Sequence, residues 1–183
     1  MDLKMSAAVT VVCKFNQSKN MLIDTEISTL IDKGIVKNTD RSFINPASLD
    51  VRIGKEIMVE GVEQEWYKLN IENRGHYLAP SEFILGCTME VLDLPSDLCA
   101  EFYLKSSRAR EGYDHNCACW IDPGFIGAIT LEIKNNLRLR SLPIYYGMPI
   151  GQLVFRRLST LPEKDYRQTG RYNNFATVKE SLG

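Results

Sequence analysis

From Ser48 onward the chain is a succession of short segments in which apolar and polar residues alternate. Nearly all of them are closed by Gly, Pro or Asn. That rhythm fits short strands joined by turns and little else. SLDVRIG (48–54) is the clearest case, with Leu49, Val51 and Ile53 alternating against Ser48, Asp50 and Arg52. EIMVEG, EWYKLNI, HYLAP, EFILGCTMEVLDLP, AEFYLK, GAITLEI, SLPIYYG and IGQLVFRRL follow at close intervals. So many short strands predict an all-β fold: a sandwich, barrel or jelly roll. Two segments break the rhythm. IDTEISTLIDKG (23–34) predicts a helix capped by Asp24 or Thr25, with Ile27, Leu30 and Ile31 as its apolar face and Gly34 as its stop. KSSRAREG (105–112) predicts a short helix between strands, with Ser106 and Ser107 as N-cap residues.

A chain of 183 residues suits one domain with a real core. Its net charge of -1 gives no support for nucleic-acid binding through a bulk basic surface, so any phosphate site must come from locally clustered cations. The five cysteines (Cys13, Cys87, Cys99, Cys117 and Cys119) are odd in number and irregular in spacing. They argue against a disulfide framework and for a reducing, cytoplasmic setting. No apolar run nears the roughly 18 residues that span a bilayer, so no membrane association is expected. The apolar stretch after Lys4 is too short and too poorly flanked for a signal peptide. The expected organisation is an N-terminal extension (1–20), in which SAAVTVVCKF can add a strand and NQSKN reads as a linker, a β domain (21–162) and a polar C-terminal arm (163–183).

Four segments carry candidate chemistry. KSSRAR places two hydroxyls at a helix start beside Lys105, Arg108 and Arg110, a pattern that suits a di- or triphosphate as well as a capped surface helix. Asp122 lies in an Asp-Pro-Gly turn, and Glu132 sits on the polar face of the strand after it. By period alone, Glu132 reads as a solvated residue. HNCAC brings His115 near Cys117 and Cys119, but the H-x-E and Pro-Cys-x-x-Cys pattern of zinc deaminases is absent, and small buried thiols beside a turn are the simpler reading. YRQTGRY puts Tyr166, Arg167, Arg171 and Tyr172 on the arm. Neither a P-loop nor a dinucleotide glycine pattern is present.

Five segments in order, INPASLDVRIG (44–54), KSSRAR (105–110), HNCACWIDPGFIGAITLEI (115–133), GMPIGQLVF (147–155) and YRQTGRY (166–172), resemble the dCTP deaminase branch of the dUTPase superfamily. The resemblance covers roughly residues 21 to 175 and implies a distorted β-barrel of the dUTPase type with a few short helices. It also implies a homotrimer with active sites at subunit interfaces. The implied substrate is dCTP bound with magnesium, deaminated to dUTP and ammonia, with hydrolysis to dUMP and pyrophosphate following in the bifunctional members. It implies dTTP as a feedback inhibitor. Carried over residue by residue, Lys105, Ser106, Ser107 and Arg110 match the phosphate motif, whose last arginine is essential in deaminases. Cys117 to Trp120 match the backbone that reads the pyrimidine, with Ala118 at the small position. Asp122 matches the aspartate under the deoxyribose, Gln152 the glutamine of the fourth motif, and Tyr166 and Arg171 the arm residues that cover the triphosphate. Glu132 matches the carboxylate that separates deaminases from plain dUTPases. Magnesium is held mainly by the triphosphate, and no zinc is implied.

Several residues depart from the family pattern. Lys105 replaces the usual arginine and loses its bidentate fork. The loop between Arg110 and His115 is shorter by one residue. Cys119 stands where bifunctional members carry glycine and single-function bacterial ones carry histidine. Asn173, Asn174 and Phe175 replace the usual Gln-Gly of the arm. Trp120 resembles the bulky apolar residue of the bifunctional members. A dUTP diphosphatase lacking deamination, and a nucleotide-sensing protein that keeps the fold without turnover, are the alternatives.

Overall fold

The computed structural model describes residues 21–61 and 65–182; the N-terminal extension expected over residues 1–20 lies outside them. In chain order the elements are α1 (Asp24–Asp32), β1 (Val36–Lys37), a 3-10 turn (Arg41–Phe43), β2 (Ile44–Asn45), β3 (Ser48–Arg52), β4 (Glu56–Glu60) and β5 (Trp66–Asn70). Then come β6 (His76–Leu78), β7 (Phe83–Asp93), β8 (Leu98–Leu104), α2 (Ser106–Glu111), β9 (Tyr113–Asp114), β10 (Trp120–Ile121) and β11 (Ile126–Asn135). β12 (Leu142–Ile144), β13 (Pro149–Arg157) and α3 (Tyr166–Thr169) complete the chain. Every strand expected from the alternation forms, and the fold is mostly β with short helices.

One sheet runs β5-β4-β7-β11-β9, with β1 also paired to β7; a second runs β10-β8-β13-β3-β2; β6 and β12 form a small ribbon. The alternation puts Leu49, Val51 and Ile53 of β3, Ile129, Leu131 and Ile133 of β11, and Leu153 and Phe155 of β13 into one core. Each fully buried side chain of this size contributes about 1.5–3 kcal/mol. The other face of the β4-β7-β11 sheet carries a smaller apolar cluster, Met58, Leu85, Cys87 and Ala128, and the tail residue Val178 packs into it fully buried.

The two large sheets meet where β3 runs past β7. Ile53 bridges Thr88, and Gly54 N–H donates to Cys87 O at 2.7 Å. A Cβ on Gly54 would lie 2.8 Å from Cys87 Sγ, so only glycine permits this approach. Arg52 closes the seam: its backbone N–H and its Nε–H both donate to the Glu90 carboxylate at 2.8 Å. Glu90 is fully buried, and that burial outweighs the guanidinium and pushes its pKa up.

Both helix caps differ from expectation for the same reason. Leu22 N–H donates to Phe155 O along β13, and Asp24 N–H to Pro46 O, so the chain stays extended through Ile23. Ile23 therefore takes the cap position in place of Asp24 or Thr25, and Glu26 reaches back to accept from its N–H at 3.3 Å. Gly34 just past the helix is left-handed, as expected. At α2, Lys105 N–H donates to Ile150 O at 3.0 Å, a last rung between β8 and β13. Lys105 is thereby the extended cap residue, and Ser106 and Ser107 are the first two helical residues, not its caps.

Candidate active site

β11 builds one wall of a cavity of about 700 Å³. Leu131 and Ile133 are committed to the core, while Ala128, Thr130 and Glu132 line the cavity; Ile129, beside a register shift between Ala128 and Thr130, is buried in the core and reaches the cavity edge too. Period alone reads Glu132 as solvated; the structure has it half-buried, paired with Leu85 of β7 in a cavity that tail residues also line. Phe83 and Leu85 of β7 and Trp66 of β5 extend this wall, Trp66 and Phe83 meeting edge to face at 6.0 Å. Burial in these apolar surroundings raises the Glu132 pKa, and its own backbone N–H opposes the shift.

The segment from Cys117 to Asp122 lines the same cavity. Asn116 and Cys117 are both left-handed (φ 50° and 56°), and Cys119 N–H folds back onto Cys117 O at 3.0 Å. Cys119 O then accepts from Phe102 N–H at 2.8 Å, which ties the turn to β8. His115 stacks edge-on against Phe102 at 5.4 Å, and its buried Nδ1 has no hydrogen-bond partner. The expected buried thiols are not found: Cys117 is exposed and Cys119 half-buried, and both line the cavity. Among the described residues no three His, Cys, Asp or Glu side chains form a metal-sized group. Trp120, more than half exposed, donates its indole N–H to Asp122 Oδ1 at 2.8 Å, so both side chains present one joined edge to the cavity.

The arm crosses the same cavity. Asp165 caps α3 by accepting from Arg167 N–H at 3.0 Å and also accepts from Ser96 Oγ. Tyr166 N–H donates to Pro123 O, and its ring lies against Phe125 at 5.8 Å. Asn173, Asn174 and Phe175, the residues that depart from the family pattern, strap the arm to the start of β11. Asn173 Oδ1 accepts from Ile126 N–H at 2.9 Å, Asn174 N–H donates to Ile126 O at 2.7 Å, and Phe175 O accepts from Ala128 N–H at 2.9 Å. Gly127, at φ +139°, makes this possible, since a Cβ there would lie 2.6 Å from Phe175 O. Tyr172 also lines the cavity; the N–H of Leu182 and the Ser181 hydroxyl draw its pKa down.

Of the residues singled out from sequence, Cys117, Ala118, Trp120, Asp122, Glu132 and Tyr166 share this cavity. Lys105, Ser106, Ser107, Arg110, Gln152 and Arg171 do not line it. Lys105 is ion-paired with Asp50, Gln152 accepts from Ser48 at 2.9 Å, and Arg108 is held by Pro149 O and Glu111. Ser106, Ser107 and Arg110 are exposed on α2. Sequence reasoning missed Trp66, Phe83 and Thr130; only the face of Thr130, two residues before Glu132, was legible from spacing.

A dCTP deaminase-like family model matches residues 21–158. The chain is 37% identical over 151 residues to a dCTP deaminase, dUMP-forming, of Methanoculleus marisnigri, covering 75% of this chain and 80% of that one. It is 39% identical over 164 residues to a dCTP deaminase, dUMP-forming, of Streptomyces avermitilis, covering 80% and 84%. Among solved structures it resembles the 2'-deoxycytidine 5'-triphosphate deaminase of Agrobacterium tumefaciens, with TM-score 0.63 and 24% identity over 75% of this chain. The match spans about half of that protein (48%), and the likeness concerns the fold.

Proposed function

The chain belongs to the dCTP deaminase-like family, and on that basis we infer that it is a dCTP deaminase of the dUMP-forming kind. It hydrolyses dCTP to dUTP and ammonia, then dUTP to dUMP and pyrophosphate, within pyrimidine deoxynucleotide metabolism. The observation that carries the chemistry is the half-buried Glu132 with its raised pKa, lining one cavity together with the turn Cys117–Asp122. As a carboxylate, Glu132 takes a proton from the water that attacks C4 of cytosine and delivers it to N3. Glu132 then takes the proton of the new C4 hydroxyl and passes it to the amine; the C4–N bond breaks, C4=O forms and ammonia leaves. A pKa lifted toward working pH suits one carboxyl to both transfers. The backbone around Ala118 reads the pyrimidine edge, and Asp122, braced by Trp120, supports the deoxyribose.

The triphosphate side of the site is proposed to come from a second copy. Ser106, Ser107 and Arg110 are exposed and away from the cavity of their own chain. We propose a homotrimer in which α2 of one subunit brings Lys105, both serines and Arg110 to the cavity of the next, with Gln152 placed as in the family. The arm, with Tyr166 and Arg171, covers the nucleotide. Magnesium is proposed as an ion carried mainly by the triphosphate, the way Mg2+ is commonly held; among the described residues no group of three or more His, Cys, Asp or Glu is placed to hold it. When bound it neutralises phosphate charge and orients the chain of phosphates. dTTP is proposed as a competing feedback inhibitor, and the protein is proposed to act in the cytoplasm; no described helix is long and apolar enough to cross a membrane. The test is product analysis of the purified protein with dCTP and magnesium. Ammonia and pyrophosphate with dCTP as sole substrate support the reading, and no ammonia sinks it.

A further inference from the structure

Trp120 and Asp122 flank Ile121 at the end of β10. The ladder to β8 sets Trp120 opposite Glu101 and Ile121 opposite Ala100, and Ile121 turns into the core. By the period of two, Trp120 and Asp122 share the other side of the chain, and both line the cavity. The turn fixes the Asp122 backbone, whose carbonyl accepts from Phe125 N–H at 3.2 Å. The indole fixes its side chain: Trp120 Nε1–H donates to Oδ1 at 2.8 Å. An indole has this one hydrogen to donate, whereas a carboxylate has two oxygens that accept. With the indole edge standing at Oδ1, Oδ2 is the oxygen open to a ligand.

We propose that Trp120 makes this site select a 2'-deoxy sugar, as a positioning residue that acts through Asp122. The inference rests on reading Asp122 as the support of the deoxyribose. A deoxyribose carrying a 5'-triphosphate has a single free hydroxyl, at C3', and one carboxylate oxygen satisfies it. A ribose presents two neighbouring hydroxyls, and a carboxylate with both oxygens open accepts from both. Here the indole N–H occupies the second oxygen. The 2'-hydroxyl of CTP then sheds its water without gaining an acceptor, which disfavours CTP by about tenfold or more. Phenylalanine in place of Trp120 would fill similar space and leave Oδ1 open. The selection therefore lies in one N–H group rather than in the bulk of the ring.

The test measures kcat and KM for ammonia release from dCTP and from CTP, with magnesium, in the full-length protein, Trp120→Phe, Asp122→Asn and the double variant. Calorimetry gives the dissociation constants of both nucleotides for the same set in a Glu132→Gln background, where no turnover is needed. The parent is expected to prefer dCTP by about tenfold or more, mainly through KM. Trp120→Phe is expected to lose most of that preference. Adding Trp120→Phe to Asp122→Asn is expected to leave the ratio of dCTP to CTP where Asp122→Asn alone puts it, because the indole acts through the carboxylate. A ratio that Trp120→Phe leaves intact overturns the proposal. So does an equal change with and without the Asp122 carboxylate, which would make the ring a steric wall. If the parent releases no ammonia from dCTP, the functional reading has failed, and the dissociation constants still decide the sugar selection. Binding of CTP as tight as that of dCTP, or binding of neither, then overturns it.

Discussion

Glu132 on β11 stands directly opposite Leu85 on β7 in the antiparallel ladder. Leu85 is an apolar cross-strand neighbour and part of the burial that desolvates the carboxylate and raises its pKa. The same placement makes Glu132 useful and costly at once. A fold that raises an acid's pKa favours its protonated form. That contribution is present below the unfolded value and is lost as pH rises through the folded one.

Glu132→Gln is therefore expected to separate activity from stability. Deaminase turnover falls at least about 100-fold, the scale of a lost general base. At neutral pH the melting temperature stays level or rises, because the amide carries no charge to desolvate. The gap between variant and parent closes as pH falls through the range where Glu132 protonates. Ammonia release and thermal melts at several pH values measure both effects. Undisturbed turnover would remove Glu132 from the mechanism.

Arg52 and Glu90 predict a different pattern. Arg52→Leu leaves a fully buried carboxylate without its guanidinium and is expected to cost about 3–5 kcal/mol. Replacing both residues by leucine recovers much of that loss, since a buried pair is worth less than breaking it costs. Denaturant unfolding of the two variants checks this. A double variant as unstable as Arg52→Leu would mean that the seam needs the charges themselves.

The arm supplies a third prediction. Val178 is the only residue of the described tail in the outer apolar cluster, and it is fully buried there. Val178→Asp is expected to release the strap beyond Phe175, seen as faster proteolysis near the C-terminus. Losing about 1.5 kcal/mol of burial that favours the closed arm corresponds to a rise in KM for dCTP of about tenfold. Faster cleavage without a kinetic change would show that the arm closes without Val178.

The longer strands were legible because apolar residues recur between turn residues, and the alternation is clean in the second half of β11 and in three-residue β12, although β7 and β8 bury successive residues. The placement of Glu132 was half legible. Period two put it opposite Ile129, Leu131 and Ile133, but period alone cannot say whether the far face meets water or protein. Here Leu85 pairs with it across the ladder, and Phe83 and tail residues line the same cavity, all distant in sequence. The caps were misread for a related reason. Asp24, Ser106 and Ser107 are good capping residues, yet Leu22, Asp24 and Lys105 spend their N–H groups on β13 and Pro46, and those hydrogen bonds fix where each helix begins. Asn173 and Asn174 looked like simple departures until their bonds to Ile126 gave them a task.

The separation of α2 from the cavity gives the most direct test of shared sites. If each site takes Glu132 from one subunit and Arg110 from the next, Glu132→Gln and Arg110→Ala are each inactive alone. Mixed and reassembled, they can form sites with an intact Glu132 facing an intact Arg110. In randomly mixed closed trimers made from equal amounts, about a quarter of the sites meet that condition. Ammonia release by the mixture is thus expected to recover to about a quarter of the parent's rate. Either variant taken alone through the same dissociation and reassembly stays inactive. No recovery, from subunits shown by mass analysis to have exchanged, would mean that one chain supplies both Glu132 and Arg110 to its site and would overturn the shared-site arrangement.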